Sequence, residues 1–426
     1  MDDLFPTITA ILFFITCVGA LVSGVFWLGL LYKVLVFLKN RPTARAGIAL
    51  CKNAMPTDRI VVVIPAHNES RVIEHLVKSL RDQTYPYACF LLVLDRCTDD
   101  TLEKARVAIG DDARFLIHEV TECPADWAGK VHAIHSAMGF LKSRGDLPDA
   151  LLFADADTRF APEVIAATLA ILRDRKLELL SLLSTLSTDK WFEKVVQTAA
   201  SMEIGRMFPL SHVNALENRR AFANGQFMLF DARAYESFGG HLAVKDAILE
   251  DLALARLMAQ QRRPAQVLLA DNLIRCHMYD TFGAFTTGWK RIYIECVNWK
   301  VSRLSRYGWS VILMGCILPV WSIGLLVVGT LVIGLGVERE LAEILMTIGF
   351  HGRAATIAVS IGATAFVAYF GALGLIYRIA GAPLICVFVH PVGAMLVGGI
   401  LLDAARDVRN RVPIRWGGRE YTREPR

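Results

Sequence analysis

Ile60-Val-Val-Val-Ile64 is a run of five β-branched residues, halted by Pro65 and followed by Ala66, His67, Asn68 and Glu69. β-Branched side chains favour extended backbone, and an unbroken apolar run marks a strand covered on both faces, as in a parallel sheet. Asn68 is placed to cap a helix, because Val72, Ile73, Leu76, Val77 and Leu80 follow at helical spacing. Working outward, the same unit recurs. Residues 90–94 read as a strand ending at Asp95, with Asp99 placed to cap the next short helix. Residues 114–118 read as a third strand, followed by a helix faced by Val131, Ile134, Met138 and Leu141. Residues 151–153 form a fourth, ending in Asp155-Ala156-Asp157. This alternation predicts an α/β fold with a doubly wound, mostly parallel sheet, whose ligands bind beyond the carboxyl ends of the strands. Asn68, Glu69, Asp95, Asp155 and Asp157 all fall there. No GxGxxG follows the first strand, which argues against a dinucleotide-dependent dehydrogenase.

The flanks of this region differ in kind. The 426-residue chain is 54% hydrophobic and 20% charged, with a mean hydropathy of +0.41, more than a soluble core requires. The surplus sits in four runs, residues 8–38, 309–337, 354–379 and 382–402. A bilayer core of ~30 Å takes about 20 apolar residues, so each is a candidate transmembrane helix. Asp2, Asp3 and the length of the first run argue against a cleaved secretory signal. Lys33, Lys39, Arg41, Arg45 and Lys52 follow the first run, and Lys300, Arg303 and Arg306 precede the second. Under the positive-inside rule these place the intervening domain in the cytosol, against the inner (cytoplasmic) membrane of the cell. One span before the domain and about three after it make four. A conflict then arises at the tail: Arg406, Arg409, Arg411, Arg415 and Arg419 favour the inside, whereas four spans send them out. Pro383 and Pro391 mark the last run as a candidate re-entrant or interfacial segment. Trp289, Tyr293, Trp299 and Tyr307, close to Lys290, Arg291, Lys300 and Arg303, predict a helix in the headgroup layer. The expected organisation is a span within 1–40, a soluble domain over 55–285, an interfacial segment over 286–308, a membrane bundle over 309–402 and a basic tail over 403–426.

Net charge is +5, from 46 basic and 41 acidic residues, too even a balance to suggest a nucleic-acid binder. The nine cysteines form no CxxC pair and suggest neither a disulfide framework nor a zinc site.

Several positions carry chemistry. Asp155 and Asp157 stand two apart at a strand end, where like charges repel unless a cation or hydrogen bonds compensate them. Hard carboxylate oxygens suit Mg²⁺ or Mn²⁺, which also bridges diphosphate oxygens. A bare Asp-x-Asp is otherwise a solvated turn; its place at the sheet edge favours the cation. Glu250 and Asp251 open a helix, where the dipole alone favours acids, or where one serves as general base toward an acceptor hydroxyl. Lys130, in Trp127-Ala-Gly-Lys130, is a phosphate-holding cation or a surface lysine. Asp95 bonds a nucleobase or ribose, or shapes a turn. Gly225, ahead of Gln226 and the apolar Phe227-Met-Leu-Phe230, allows close backbone approach or a tight turn into a strand. His241 and His277 are lone histidines, read as core or surface.

In order, these motifs are Val63-Ile-Pro-Ala-His-Asn-Glu69, Asp95-Arg-Cys-Thr-Asp99, Gly129-Lys130, Asp155-Ala-Asp157, Gly225-Gln226 and Glu250-Asp251. From about residue 59 to 306 the chain resembles the inverting glycosyltransferases of family 2, which have a GT-A fold. The first span, Trp127-Ala-Gly-Lys130 and Phe222-Ala-Asn-Gly-Gln-Phe-Met-Leu-Phe230 look most like the hopene-associated and carotenoid-type membrane enzymes, with ceramide glucosyltransferases more distant. The resemblance implies a nucleotide-sugar donor, UDP-linked, gripped by Pro65, Ala66, Asn68, Glu69, Asp95, Lys130 and Asp155. It implies Mg²⁺ or Mn²⁺ on Asp157 and Asp155, and Asp251 as the base with Glu250 beside it. It places Gly225, Gln226, Trp289 and Arg291 on the acceptor side. Leu94 and Arg96 stand where the broader family often has Asp and Gly, so base recognition differs. Processive polysaccharide synthases carry QxxRW after the base; here Gln260-Gln-Arg-Arg-Pro264 lacks the Trp and Thr287-Gly-Trp-Lys-Arg291 is a distant echo. That favours transfer of a single sugar to a lipid or terpenoid acceptor over a processive β-glycan synthase. A non-catalytic membrane scaffold is the third reading, opposed by the presence of Asp155, Asp157 and Asp251 together.

Overall fold

The computed structural model describes residues 4–145, 147–215, 217, 219–335, 354–416 and 419–421. The strands are β1 (Ile60–Ala66), β2 (Ala88–Asp95), β3 (Phe115–Val120), β4 (Ala150–Phe153), β5 (Thr158–Phe160), β6 (Leu179–Leu183), β7 (Thr185–Leu186), β8 (Met228–Asp231), β9 (Ala265–Leu269) and β10 (Ile274–Cys276). A seven-stranded sheet runs in the order β3-β2-β1-β4-β8-β6-β9. β1 pairs in parallel with β2 and β4, β2 with β3, and β6 with β9. β8 is antiparallel to both β4 and β6, which makes the sheet mixed on that side.

Alternate residues of β1 enter opposite cores. Ile60, Val62 and Ile64 pack beneath helices Ile73–Arg81, Thr101–Ile109 and Val164–Asp174, while Val61 and Val63 pack beneath Gly129–Ser143 and Glu250–Gln260. Burial on both faces is what the unbroken β-branched run requires. β1 continues past the expected stop, through Pro65 to Ala66. β4 pairs with β1 only as far as Val63, so one edge of β1 is open beyond it and accommodates a proline. The third strand ends at Val120 rather than His118. From β1 the chain winds outward through β2 to β3, then returns to place β4 on the other flank of β1. Such a reversal opens a crevice at the carboxyl ends of β1 and β4. A smaller sheet, β5-β10-β7, sits below that crevice.

Four helices are long and apolar enough to cross a membrane: Ile11–Lys39, Val301–Leu331, Ala355–Ala380 and Leu384–Arg409. Residues 336–337, the end of the second apolar run, lie outside the described residues, as do 417–418 and 422–426 of the basic tail. The first span and the helix Leu318–Leu335 both pack on Ala354–Ala380. Small residues allow the approach: the Cβ position of Gly24 lies 3.6 Å from Ala365 and that of Gly362 lies 2.9 Å from Leu326. Ile11, Leu12, Phe14, Val18, Leu21 and Val25 are exposed on the first span, as lipid contact requires.

The expected interfacial segment 286–308 is divided between two helices, Phe282–Cys296 and Val301–Ile312. Trp289, Tyr293 and Trp299 are buried, so three of the four aromatic residues that suggested headgroup contact face protein, while Tyr307 is half-buried. The Tyr293 hydroxyl donates to the Ala200 carbonyl at 3.0 Å and Trp299 Nε1 to Glu295 Oε1 at 2.9 Å. Helix His390–Arg409 packs on both of these helices and on the segment 193–207. A Cβ on Gly393 would lie 2.1 Å from the Val195 carbonyl oxygen, whereas nothing lies within 4 Å of one on Gly399. Gly393→Ala is therefore expected to cost about 1–3 kcal/mol by overpacking. Gly399→Ala should be neutral or stabilising by up to about 1 kcal/mol through helix propensity. Thermal unfolding of the two variants in detergent checks the contrast; equal midpoints would contradict this packing.

Candidate active site

The loops after β1 and β2 are tied together at the crevice. Asn68 holds φ at +58°, and its Oδ1 accepts from the Thr98 amide at 2.8 Å. It is not the helix cap: the helix begins at Ile73 after an uncapped Val72, and Asn68 is engaged with the neighbouring loop instead. The Glu69 amide donates to Thr101 Oγ1 at 2.8 Å. Asp99 does hold the first turn of its helix, accepting from the Thr101 amide at 3.1 Å, and reaches across to the Ser70 amide at 3.3 Å.

Asp95 is 4% exposed and bonded by both oxygens to Arg96, Nε to Oδ1 at 2.8 Å and Nη2 to Oδ2 at 2.7 Å. Arg96 has φ +47°, the left-handed region in which glycine is at ease. The forked ion pair holds an arginine there, and Gly129 leaves it room: a Cβ at 129 would lie 2.9 Å from Arg96 Nη2. The Asp95 carboxylate is thus already engaged by Arg96 through both of its oxygens.

Asp155 follows β4, Lys130 opens the helix Gly129–Ser143, and Glu250 and Asp251 open the helix Glu250–Gln260. Their side chains meet. Lys130 Nζ lies 2.5 Å from Asp155 Oδ1 and also pairs with Glu250 Oε1. Burial opposes the lysine charge, but Asp155 and Glu250 outweigh it and raise its pKa. Lys130 in turn overcomes the burial of Glu250 and keeps that acid below its usual range. Asp251 Oδ2 accepts from the Gly225 amide at 2.7 Å and Oδ1 from the Leu252 amide at 2.6 Å. Burial, then the Glu250 charge, push Asp251 up to about 7. Gly225 is held by its neighbour: the Asn224 amide donates to Ser181 Oγ at 2.8 Å and Asn224 Nδ2 to the Leu182 carbonyl at 2.9 Å. A Cβ at 225 would crowd Asp251 Oδ2 and Glu250 Oε1, each at 3.2 Å, and Lys130 Nζ at 3.3 Å. The lysine and three acids therefore converge within a few ångströms of one backbone amide.

Asp157 Oδ1 is buried with no hydrogen-bond partner. Burial, with Asp155 and Glu69 nearby, pushes Asp157 up to about 8, and burial with Asp155 raises Glu69 to about 7. An orphaned carboxylate oxygen amid other acids is what a divalent cation with oxygen ligands would relieve, so these residues fit Mg²⁺ or Mn²⁺. His277, read from the sequence as a lone histidine, lies here too. Its amide donates to the Asp157 carbonyl at 3.1 Å, and one ring nitrogen, Asp189 and Glu193 bring ligand atoms within 4.8 Å of one another. The only route to His277 from the sequence would have been the antiparallel pairing of β10 with β5, which brings residue 276 beside residue 158.

All fourteen residues that the motifs singled out line one cavity of ≈ 1890 Å³. Trp289 is 4% exposed, and its indole Nε1 finds no partner among the described residues. Arg291 is buried between Tyr279 and the acids Glu250, Asp251 and Asp155, and burial depresses its pKa. The cavity does not end at the sheet. Phe26, Leu30 and Val34 of the first span and Ile376 and Ile379 of the third also line it.

The solved structure of mannosyltransferase PcManGT from Pyrobaculum calidifontis, in complex with GDP-Man and Mn²⁺, is 15% identical and aligns at TM-score 0.45 over 91% of this chain and 98% of its own. Staphylococcus aureus TarS 1-349 in complex with UDP-GlcNAc is 12% identical, with TM-score 0.39 over 86% of this chain and 96% of its own. The 4,4'-diaponeurosporenoate glycosyltransferase of Staphylococcus aureus (strain USA300) is 27% identical over 236 residues, 54% of this chain and 60% of the relative's length. Residues 56–286 match the family described as "Glycosyltransferase like family 2". That match takes in more than half of the chain and every strand described above, so this protein belongs to the family 2 glycosyltransferases, with a GT-A domain flanked by helices long and apolar enough to cross a membrane.

Proposed function

We propose that the protein transfers one sugar from a nucleotide-sugar donor, UDP-linked, to a lipid or terpenoid acceptor, with inversion and with its catalytic domain on the cytosolic face of the inner membrane. The observation that carries this reading is that one cavity is lined both by Asp251 and by Phe26, Leu30 and Ile376 of two apolar helices. An acceptor with an apolar body can lie against those side chains while its reacting end reaches the acids. The curated relative's name, a diaponeurosporenoate glycosyltransferase, supports a terpenoid acceptor.

Asp251 is the base. Its two amide contacts fix the carboxylate, and a pKa of about 7 suits proton removal near neutral pH. Lys130 and Arg291 offset the charge of Asp155, Glu250 and Asp251, so that an anionic donor can approach. Asp157, with Asp155, would hold a divalent cation, which when bound would supply charge neutralisation to the diphosphate leaving group. Gly225 keeps the space between base and donor free of a side chain. Trp289 offers an indole N–H to the acceptor.

Membranes with active protein, fed a labelled nucleotide sugar, should yield lipids heavier by one sugar in mass spectrometry. A ladder of sugars would instead indicate a processive synthase, and no donor turnover with Mn²⁺ would indicate a scaffold. Transfer should also depend on pH. The base acts ionised, so kcat/KM should rise with pH, by about tenfold per unit below the Asp251 pKa of about 7, and then level off. A flat profile between about pH 5.5 and 8 would exclude Asp251 as a titrating base.

A further inference from the structure

Helix His390–Arg409, with the turn Leu384–Val389 before it, is long and apolar enough to cross the membrane. Its contacts say otherwise. It begins where the third span ends: the Tyr377 hydroxyl lies 3.1 Å from His390 Nδ1. That end is at the catalytic domain, because the Cβ position of Gly381 lies 3.5 Å from Thr185 in β7. In its first turn, the Cβ position of Gly393 meets the Val195 carbonyl oxygen and, at 3.6 Å, Ala199. Near its close, Asp407 is 2.6 Å from Lys290 Nζ, and Asp403 pairs with the same lysine. Beyond it, Tyr421 lines the catalytic cavity. A helix of this length that crossed would carry its far end about 30 Å away, on the other side of the bilayer. Its first turn and its last instead both touch residues of the catalytic domain or of the helix that directly follows it.

The opposite face is apolar and bare. Leu384, Ile385, Phe388, Val392 and Met395 are 56%, 72%, 65%, 55% and 52% exposed. The same stripe continues at helical spacing to Arg406 and Arg409, both exposed. It abuts the membrane bundle, since the Phe388 ring lies 5.2 Å from that of Phe370 in the third span. One flank on protein, one apolar flank and basic residues at the end describe a helix lying in the plane of a leaflet.

We propose that residues 384–402 do not cross the bilayer but rest in the leaflet that faces the catalytic domain, with the Leu384–Met395 stripe among the lipid chains and Arg406 and Arg409 at the headgroups. The chain then crosses three times, and its basic tail shares a side with the catalytic domain. This removes the conflict between four spans and a basic inside tail. It depends on no reading of the substrate.

Two measurements on the full chain test it. Green fluorescent protein fused after Arg426 should fluoresce and alkaline phosphatase there should be silent, with the opposite result for fusions placed between the second and third spans. Active phosphatase at the carboxyl end would overturn the three-crossing reading. Benzoylphenylalanine at position 388 or 392 should form phospholipid adducts on irradiation, and at the protein-facing position 397 none. Failure to form adducts at 388 and 392 would overturn lipid as the occupant of the stripe.

Discussion

Asp251→Asn is expected to leave donor binding within about twofold of the parent while reducing transfer by on the order of 10²–10⁴-fold, the usual loss for a well-placed base. The geometry makes the substitution selective. Asp251 touches the protein through two backbone amides, from Gly225 and Leu252, and is not among the residues paired with Lys130. An asparagine keeps the shape and one of these hydrogen bonds, and turns its NH₂ toward the other donor. The acid limb of the pH profile should vanish with the loss of rate. Donor titration calorimetry and single-turnover transfer separate the effects. Turnover within about tenfold of the parent would mean that the acceptor has no proton for Asp251 to take, as when it reacts as a carboxylate.

Asp157→Asn should act on the cation. Several kcal/mol of charge stabilisation rest on a catalytic metal, so its loss should lower transfer by on the order of 10³-fold. Stability should move the other way. The folded-state pKa of Asp157, about 8, is raised above the ordinary carboxylate value, so ionising it in the cation-free protein opposes folding. That penalty is absent below the unfolded-state pKa and grows as pH rises toward 8. Asp157→Asn without metal should therefore melt higher than the parent at pH 8 and equal to it near pH 4. Saturating Mn²⁺ should raise the parent's midpoint and leave the variant's nearly unchanged. If Mn²⁺ stabilised both proteins equally, the cation would lie elsewhere, with Asp189, Glu193 and His277 the next group to substitute.

How far the sequence carried these conclusions differs from one element to the next. The β1 run was readable because parallel strands buried on both faces demand consecutive β-branched residues, a purely local signal. The spans were readable for a similar reason, since lipid contact demands length and apolarity. Asp155, Asp157 and Asp251 were readable as motifs, each at the end of a strand or the start of a helix.

What local pattern could not disclose was partnership. Asn68 has the composition of a cap but bonds Thr98, and Asp95 has the composition of a free ligand but is engaged by Arg96. Trp289 and Tyr293 have the composition of a headgroup belt but lie in a core, and His277 gains its neighbours only when β10 pairs with β5. The last helix has the hydropathy of a span yet packs on Val301–Ile312, on Phe282–Cys296 and on the segment 193–207. Secondary structure and membrane affinity depend on residues close along the chain, where periodicity records them. Hydrogen bonds, ion pairs and the side of a helix that meets protein depend on residues hundreds of positions apart, brought together by folding.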